Sequence, residues 1–144
     1  MVLIGLVHGI FSPSSLVRFG DYLLTRGYDI HQIGYNSLLP FPARVAQVYA
    51  QMTEHADFYV GHSMGGMILS AIADFTGVDQ KRFLAVNSPV ITSKILTAQD
   101  FTDPAFGLFT YTAMYTYVGQ GGHSVSGTST FQFLEKVIQE HIGG

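Results

Sequence analysis

The chain has no cysteine. Disulfides and thiolate metal sites are therefore excluded, and neither a reducing nor an oxidising compartment is favoured. Charge is also sparse: charged residues make up 12% of the 144, with a net charge of −3 at pH 7. Like charges never gather into a run, so nothing argues for nucleic acid or an anionic membrane surface as a partner. No stretch approaches the roughly 20 apolar residues of a membrane span. The apolar start, Met1 to Gly9, lacks a basic n-region and a small-residue cleavage site. It reads as a buried strand, and a soluble cytoplasmic protein is the expectation. The histidines are scattered, with no His-Glu-x-x-His spacing, and Gly119-Gln120-Gly121-Gly122 lacks the lysine of a phosphate-binding loop. No metal and no cofactor are implied.

What the chain does have is apolar residues, 47% of the total. That is enough to build a substantial core, and residues 1–144 read as one domain. Short apolar runs alternate with helical patterns, which predicts a mostly parallel sheet of about six strands covered by helices, an α/β/α sandwich. Strands are expected at Val2–Val7, Tyr28–Tyr35, Phe58–Val60, Arg82–Asn87, Lys94–Ala98 and Met114–Val118. The mixed composition of Tyr28–Tyr35 suits a sheet edge. Helices are expected after Ser12-Pro13, after Pro40, from Gly65 to about Phe75, and from Thr128, where Ser129 and Gln132 have the spacing of a capping box.

The most specific local pattern is Gly61-His62-Ser63-Met64-Gly65-Gly66. It follows the apolar strand and opens a helix, which is the arrangement of a nucleophile elbow. Glycines two residues to either side of Ser63 remove the Cβ atoms that would crowd a tight turn.

A serine hydroxyl is a weak nucleophile and requires a base, a group that orients the base, and N–H donors for the oxyanion. His123 is the best-placed base, on a glycine-rich loop after the last predicted strand. His62 lies inside the elbow and should point away from Ser63. His8 belongs to the first loop, and His31, His55 and His141 sit on a strand or near helix ends. The orienting acid is Asp103 or, three residues earlier, Asp100. Both lie in the segment expected to form the loop after the fifth strand. Asp103-Pro104 is also a turn-forming pair. One oxyanion donor is the Met64 amide at the helix start, where the dipole also favours negative charge. The second comes from the loop His8-Gly9-Ile10-Phe11, with Ile10 N–H preferred. Phe11, Met64 and the phenylalanines Phe101, Phe106 and Phe109 are candidates for an apolar acyl site, with Phe11 and Phe106 the chosen substrate-binding residues.

Together these segments resemble the α/β-hydrolase family, in its lipase and esterase branch. Leu6–Phe11 looks like the oxyanion strand and loop, and Gly61–Gly66 like the elbow. Val86–Pro89 is similar to a strand end of lipase-like members. Ile95–Pro104 resembles the acid-bearing segment, with Asp103-Pro104 at its Asp-Pro position. Gly121-Gly122-His123 resembles the histidine loop. The resemblance implies a Ser63-Asp103-His123 triad, an acyl-enzyme, and a small-molecule ester with an apolar acyl group as substrate. It also implies a trimmed core, because family members usually carry two further N-terminal strands and a cap. The interval from Ser63 to Asp103 is too short for a cap. Thioesterase, amidase or acyltransferase chemistry would use the same residues. A binding protein on an inactive hydrolase core is the non-enzyme alternative. An unpaired edge at Tyr28–Tyr35, or the opposite one, makes a homodimer an expectation.

Overall fold

In a computed structural model of the chain, residues 2–10, 14–52, 56–77, 80–89, 94–106 and 113–142 are described. Six strands form one sheet: β1 (Leu3–Val7), β2 (Asp29–Ile33), β3 (Phe58–His62), β4 (Gln80–Val86), β5 (Ile95–Asp100) and β6 (Tyr115–Tyr117). Their order is β2-β1-β3-β4-β5-β6, and every neighbouring pair is parallel. Among the described residues, the helices α1 (Ser14–Thr25), α2 (Phe41–Gln51) and α3 (Met64–Thr76) lie between strands, and α4 (Thr128–Ile142) follows β6.

The layering follows from strand alternation, because successive side chains point to opposite faces. Ile4, Leu6, Phe58, Val60, Leu84, Val86, Leu96 and Ala98 face one side. There they meet Leu16, Phe19 and Leu23 of α1 and Leu134, Val137 and Ile138 of α4. Val7, Ile33, Tyr59, Phe83, Ala85 and Ile95 face the other side, against Val48 of α2 and Ile68, Leu69, Ile72 and Ala73 of α3. Each fully buried leucine or isoleucine stabilises this arrangement by about 1.5–3 kcal/mol. The central strands are covered on both faces, which explains the apolar runs Leu3–Val7, Phe58–Val60 and Phe83–Val86. The edge strand β2 reads Asp29-Ile30-His31-Gln32-Ile33, and only Ile33 is fully buried. That is the mixed edge composition anticipated above.

Two local differences from the expected elements have physical causes. Strand β5 continues through Gln99 and Asp100 rather than stopping at Ala98, because β6 pairs with it there: Gln99 opposite Thr116, Asp100 opposite Tyr117. The start of α4 takes its hydrogen bond from a distant side chain, Gln120 Oε1, which accepts from the Ser129 amide at 3.2 Å. Gln120 fills this role because Gly127, at φ 90°, brings the loop back against it. The start signal at Ser12-Pro13 lies outside the described residues.

Parallel strands deliver all their C-terminal ends to one edge of the sheet. The loops after β1, β3, β4, β5 and β6 therefore meet there, and so do the residues that the sequence marks for chemistry.

Candidate active site

Ser63 sits between β3 and α3 at φ 54° and ψ −114°. That conformation is strained for a residue with a Cβ and costs about 1–3 kcal/mol. Its surroundings hold it there. The Ser63 amide donates to the Val86 carbonyl at 2.9 Å, and the Ser63 carbonyl accepts from the Gly66 and Met67 amides at 3.1 and 3.2 Å. The glycines are required by space. A Cβ on Gly61 would stand 2.5 Å from the Gly65 carbonyl, and one on Gly65 would collide with the Val7 carbonyl.

The loop after β6 brings His123 over this turn. Its Nε2 lies 3.1 Å from Ser63 Oγ, and its Nδ1 lies 2.9 Å from Asp103 Oδ2. The imidazole thus bridges the hydroxyl and a carboxylate. The Asp103 side chain is fully buried while that of His123 is 43% exposed. Asp103 is also held independently of the histidine. Its Oδ1 accepts from the Ala105 amide at 2.8 Å, and its Oδ2 accepts from Gln99 Nε2 at 3.2 Å.

Asp100 takes no part in this bridge. Its Oδ1 accepts from the Thr102 amide and hydroxyl, each at 2.8 Å, and from the Gly119 amide at 2.9 Å. It ties the end of β5 to the chain leaving β6. Beside it, burial pushes the Tyr117 hydroxyl well above the ordinary tyrosine range, and the charges of Asp100 and Asp103 add to this.

Met64 is the first residue of α3, so its amide has no partner within the helix. Ile10 lies on the loop after β1. His8 Nδ1 donates to the Gly9 carbonyl at 2.6 Å. In a planar trans peptide the Ile10 N–H points opposite to that carbonyl. The His8 ring stacks on Tyr35 with centroids 4.5 Å apart, and the Tyr35 hydroxyl donates to the His8 carbonyl at 3.0 Å. Burial raises the Tyr35 hydroxyl to about 12, so it stays protonated as a donor.

A cavity of about 190 Å³ opens beside Ser63 and His123, lined by Ile10, Met64, Met67 and Pro89 among others. Phe106 is not on that lining; it lies edge-on against Phe101, with centroids 5.1 Å apart. Phe11 and Phe109 lie outside the described residues. A larger apolar groove of about 440 Å³ runs between α2 and α3, away from Ser63.

Two residues of the site lie in segments the sequence marks but take roles it does not assign. His62 Nε2 donates to the His123 carbonyl at 2.6 Å, and Asn87 Nδ2 donates to the same carbonyl at 3.0 Å. Asn87 adopts φ 50°, a conformation that asparagine tolerates better than most residues. An asparagine directly after a buried parallel strand, level with the elbow, was the available signal.

No protein-family model matches this chain, and no curated protein does. Solved structures do. The ydeN gene product from B. subtilis superposes at a TM-score of 0.71 with 12% identity, covering 96% of this chain and 100% of that one. An extracellular α/β-hydrolase from a Paenibacillus species gives 0.68 at 10% identity, covering 98% and 99%. A structure of LipS and LipT, described as two metagenome-derived lipolytic enzymes, gives 0.66 at 14% identity, covering 99% and 94%. At such identities the likeness is one of fold, and the chain has the α/β-hydrolase fold.

Proposed function

We propose that this chain is a serine hydrolase that cleaves carboxylic esters through an acyl-enzyme. The observation that carries the reading is the His123 imidazole, set between Ser63 Oγ at 3.1 Å and Asp103 Oδ2 at 2.9 Å. In the resting state Nδ1 carries the proton and donates a hydrogen bond to Asp103, which leaves Nε2 free to accept from the Ser63 hydroxyl. Ser63 Oγ attacks the ester carbonyl carbon as His123 Nε2 takes the hydroxyl proton. The Met64 and Ile10 amides receive the developing oxyanion. Collapse expels the alcohol, which leaves with the proton from His123. A water then gives its proton to Nε2 and attacks the acyl carbon, and Ser63 departs reprotonated. Asp103 fixes the tautomer and stabilises the imidazolium.

The lining of Ile10, Met64, Met67 and Pro89 favours an apolar acyl group. No cofactor enters the scheme. The same geometry serves thioesters or amides, and a product assay with competing nucleophiles separates these. The β2 edge or the opposite β6 edge is the surface through which a homodimer would form, and sedimentation reads the oligomeric state directly.

The test is turnover of p-nitrophenyl acetate, butyrate and longer esters by the wild type and Ser63→Ala. The expected result is hydrolysis by the wild type and a loss of at least about 10⁴-fold in kcat in the variant. A fluorophosphonate should label Ser63. A folded wild type that neither turns over any ester nor reacts with the probe would favour a binding role and end this reading.

A further inference from the structure

The loop that bears His123 is a tight turn, closed by the Ser124 amide donating to the Gly121 carbonyl at 3.0 Å. It is reached through Gly121 and Gly122, the latter at φ 58°, and the His123 side chain is 43% exposed. The His123 backbone carbonyl accepts two hydrogen bonds from buried donors: His62 Nε2 at 2.6 Å and Asn87 Nδ2 at 3.0 Å. Asn87 Nδ2 also reaches the Gly122 carbonyl at 3.2 Å. His62 ends β3, directly before Ser63. Asn87 follows Val86, whose carbonyl receives the Ser63 amide. The strand ends that hold the serine therefore also hold the loop of the histidine.

We propose that His62 is a positioning residue for the general base, clamping the His123 carbonyl so that Nε2 stays in line with Ser63 Oγ. This rests on the reading of Ser63 and His123 as a catalytic pair.

The chemistry of His62 suits the task. The Nε2–H is its donor, and its Nδ1 is buried with no hydrogen-bond partner among the described residues. Nδ1 lies beside Gly9, where a Cβ would stand 3.4 Å away. A second proton would have no acceptor there among the described residues, and burial holds the ring down to about 4. The ionisable groups facing it are His123, whose ring centroid is 5.1 Å away, and Asp103. A neutral donor holds the carbonyl without adding a positive charge next to the base. A charged clamp such as lysine would oppose formation of the imidazolium.

Displacing a reacting group by about 1 Å costs on the order of 10²-fold in rate. His62→Leu keeps the bulk and removes the donor, whereas His62→Gln keeps a donor near the Nε2 position. The measurements are kcat and KM for p-nitrophenyl acetate, and the downfield proton resonance of His123 Nδ1–H bound to Asp103. His62→Leu is expected to lower kcat by about 10–100-fold with KM changed by less than about threefold. His62→Gln should recover kcat to within about fivefold of wild type. The downfield proton should broaden or vanish in the leucine variant and persist in the glutamine one. If the leucine variant does not fold, His62→Asn, whose amide is too short to reach the carbonyl, is measured against the same expectation. A folded donor-less variant with wild-type kcat, or with an unchanged downfield proton, overturns the proposal. If the wild type has no Ser63-dependent turnover, the functional reading fails instead, and the resonance comparison still decides the clamp.

Discussion

Asp100 and Asp103 lie three residues apart, both buried, at the same edge of the sheet. Their surroundings differ in one respect that separates fold from chemistry. Asp100 gives its Oδ1 to the Thr102 amide, the Thr102 hydroxyl and the Gly119 amide, so it stitches β5 to the chain after β6. Asp103 is anchored by the Ala105 amide on one oxygen and offers the other to the His123 imidazole. Residue type and burial are the same in both, so neither distinguishes a structural carboxylate from one able to do chemistry. What distinguishes them is whether the acceptors serve backbone amides or a titratable, half-exposed ring.

The largest expected effect breaks this pair apart by activity. Asp103→Asn keeps the size and the Ala105 contact but can present an N–H to His123 Nδ1, favouring the wrong tautomer. If the proposed mechanism holds, kcat should fall by about 10³–10⁴-fold with the fold intact, read by ester turnover and circular dichroism. Asp100→Ala should do the reverse. Three donors lose their acceptor, and stability should drop by about 3 kcal/mol in urea unfolding, while turnover per folded molecule stays within about threefold of wild type. A large kcat loss in Asp100→Ala without a stability loss would show that the two carboxylates are not divided in this way.

Much of this edge was legible beforehand because each signal has a local cause. Gly61 and Gly65 are needed where backbones nearly touch, and Ser63 between them takes the strained turn. The position of β2 at the edge followed from its mixed composition. Two things resisted. The end of β5 is set by pairing with β6, a partner far along the chain, so in the sequence Gln99 and Asp100 read as loop. The sequence favours Asp103 as the orienting acid but leaves Asp100 as a rival for the same reason, since the amide of Gly119 that claims Asp100 arrives from after β6. His62 was expected to point away from Ser63. Its role lies in a contact with the backbone of residue 123, which no sequence pattern records.

The histidines repeat the contrast, and pH exposes it. His62 is buried and held down to about 4, against an ordinary value of 6.5 in the unfolded chain. Between these values the unfolded state binds more protons, so stability is full above about pH 6.5 and is lost as pH falls toward about 4. The slope is up to about 1.4 kcal/mol per pH unit, or about 3 kcal/mol over the window. His62→Gln removes this contribution. Urea unfolding between about pH 7 and about pH 4.5 should therefore show the wild type losing stability more steeply than the variant. Parallel curves would mean that His62 is not buried as a neutral donor.

The smallest effect asks how far Asp103 depends on its second anchor. Gln99 Nε2 reaches Asp103 Oδ2 at 3.2 Å, sharing that oxygen with His123. Gln99→Met preserves volume and removes the bond, a change of about 1 kcal/mol. The Ala105 amide still holds the other oxygen, so the carboxylate should stay in place. Its freed lone pair should then favour the imidazolium slightly more. The expectation is a change in kcat of less than about fivefold, with KM unaffected, checked by ester kinetics on the purified variant. A loss approaching that of Asp103→Asn would mean that Gln99, rather than the turn at Asp103-Pro104, aims the carboxylate at the base. Asp103 would then resemble Asp100 in depending on a network instead of its own local turn.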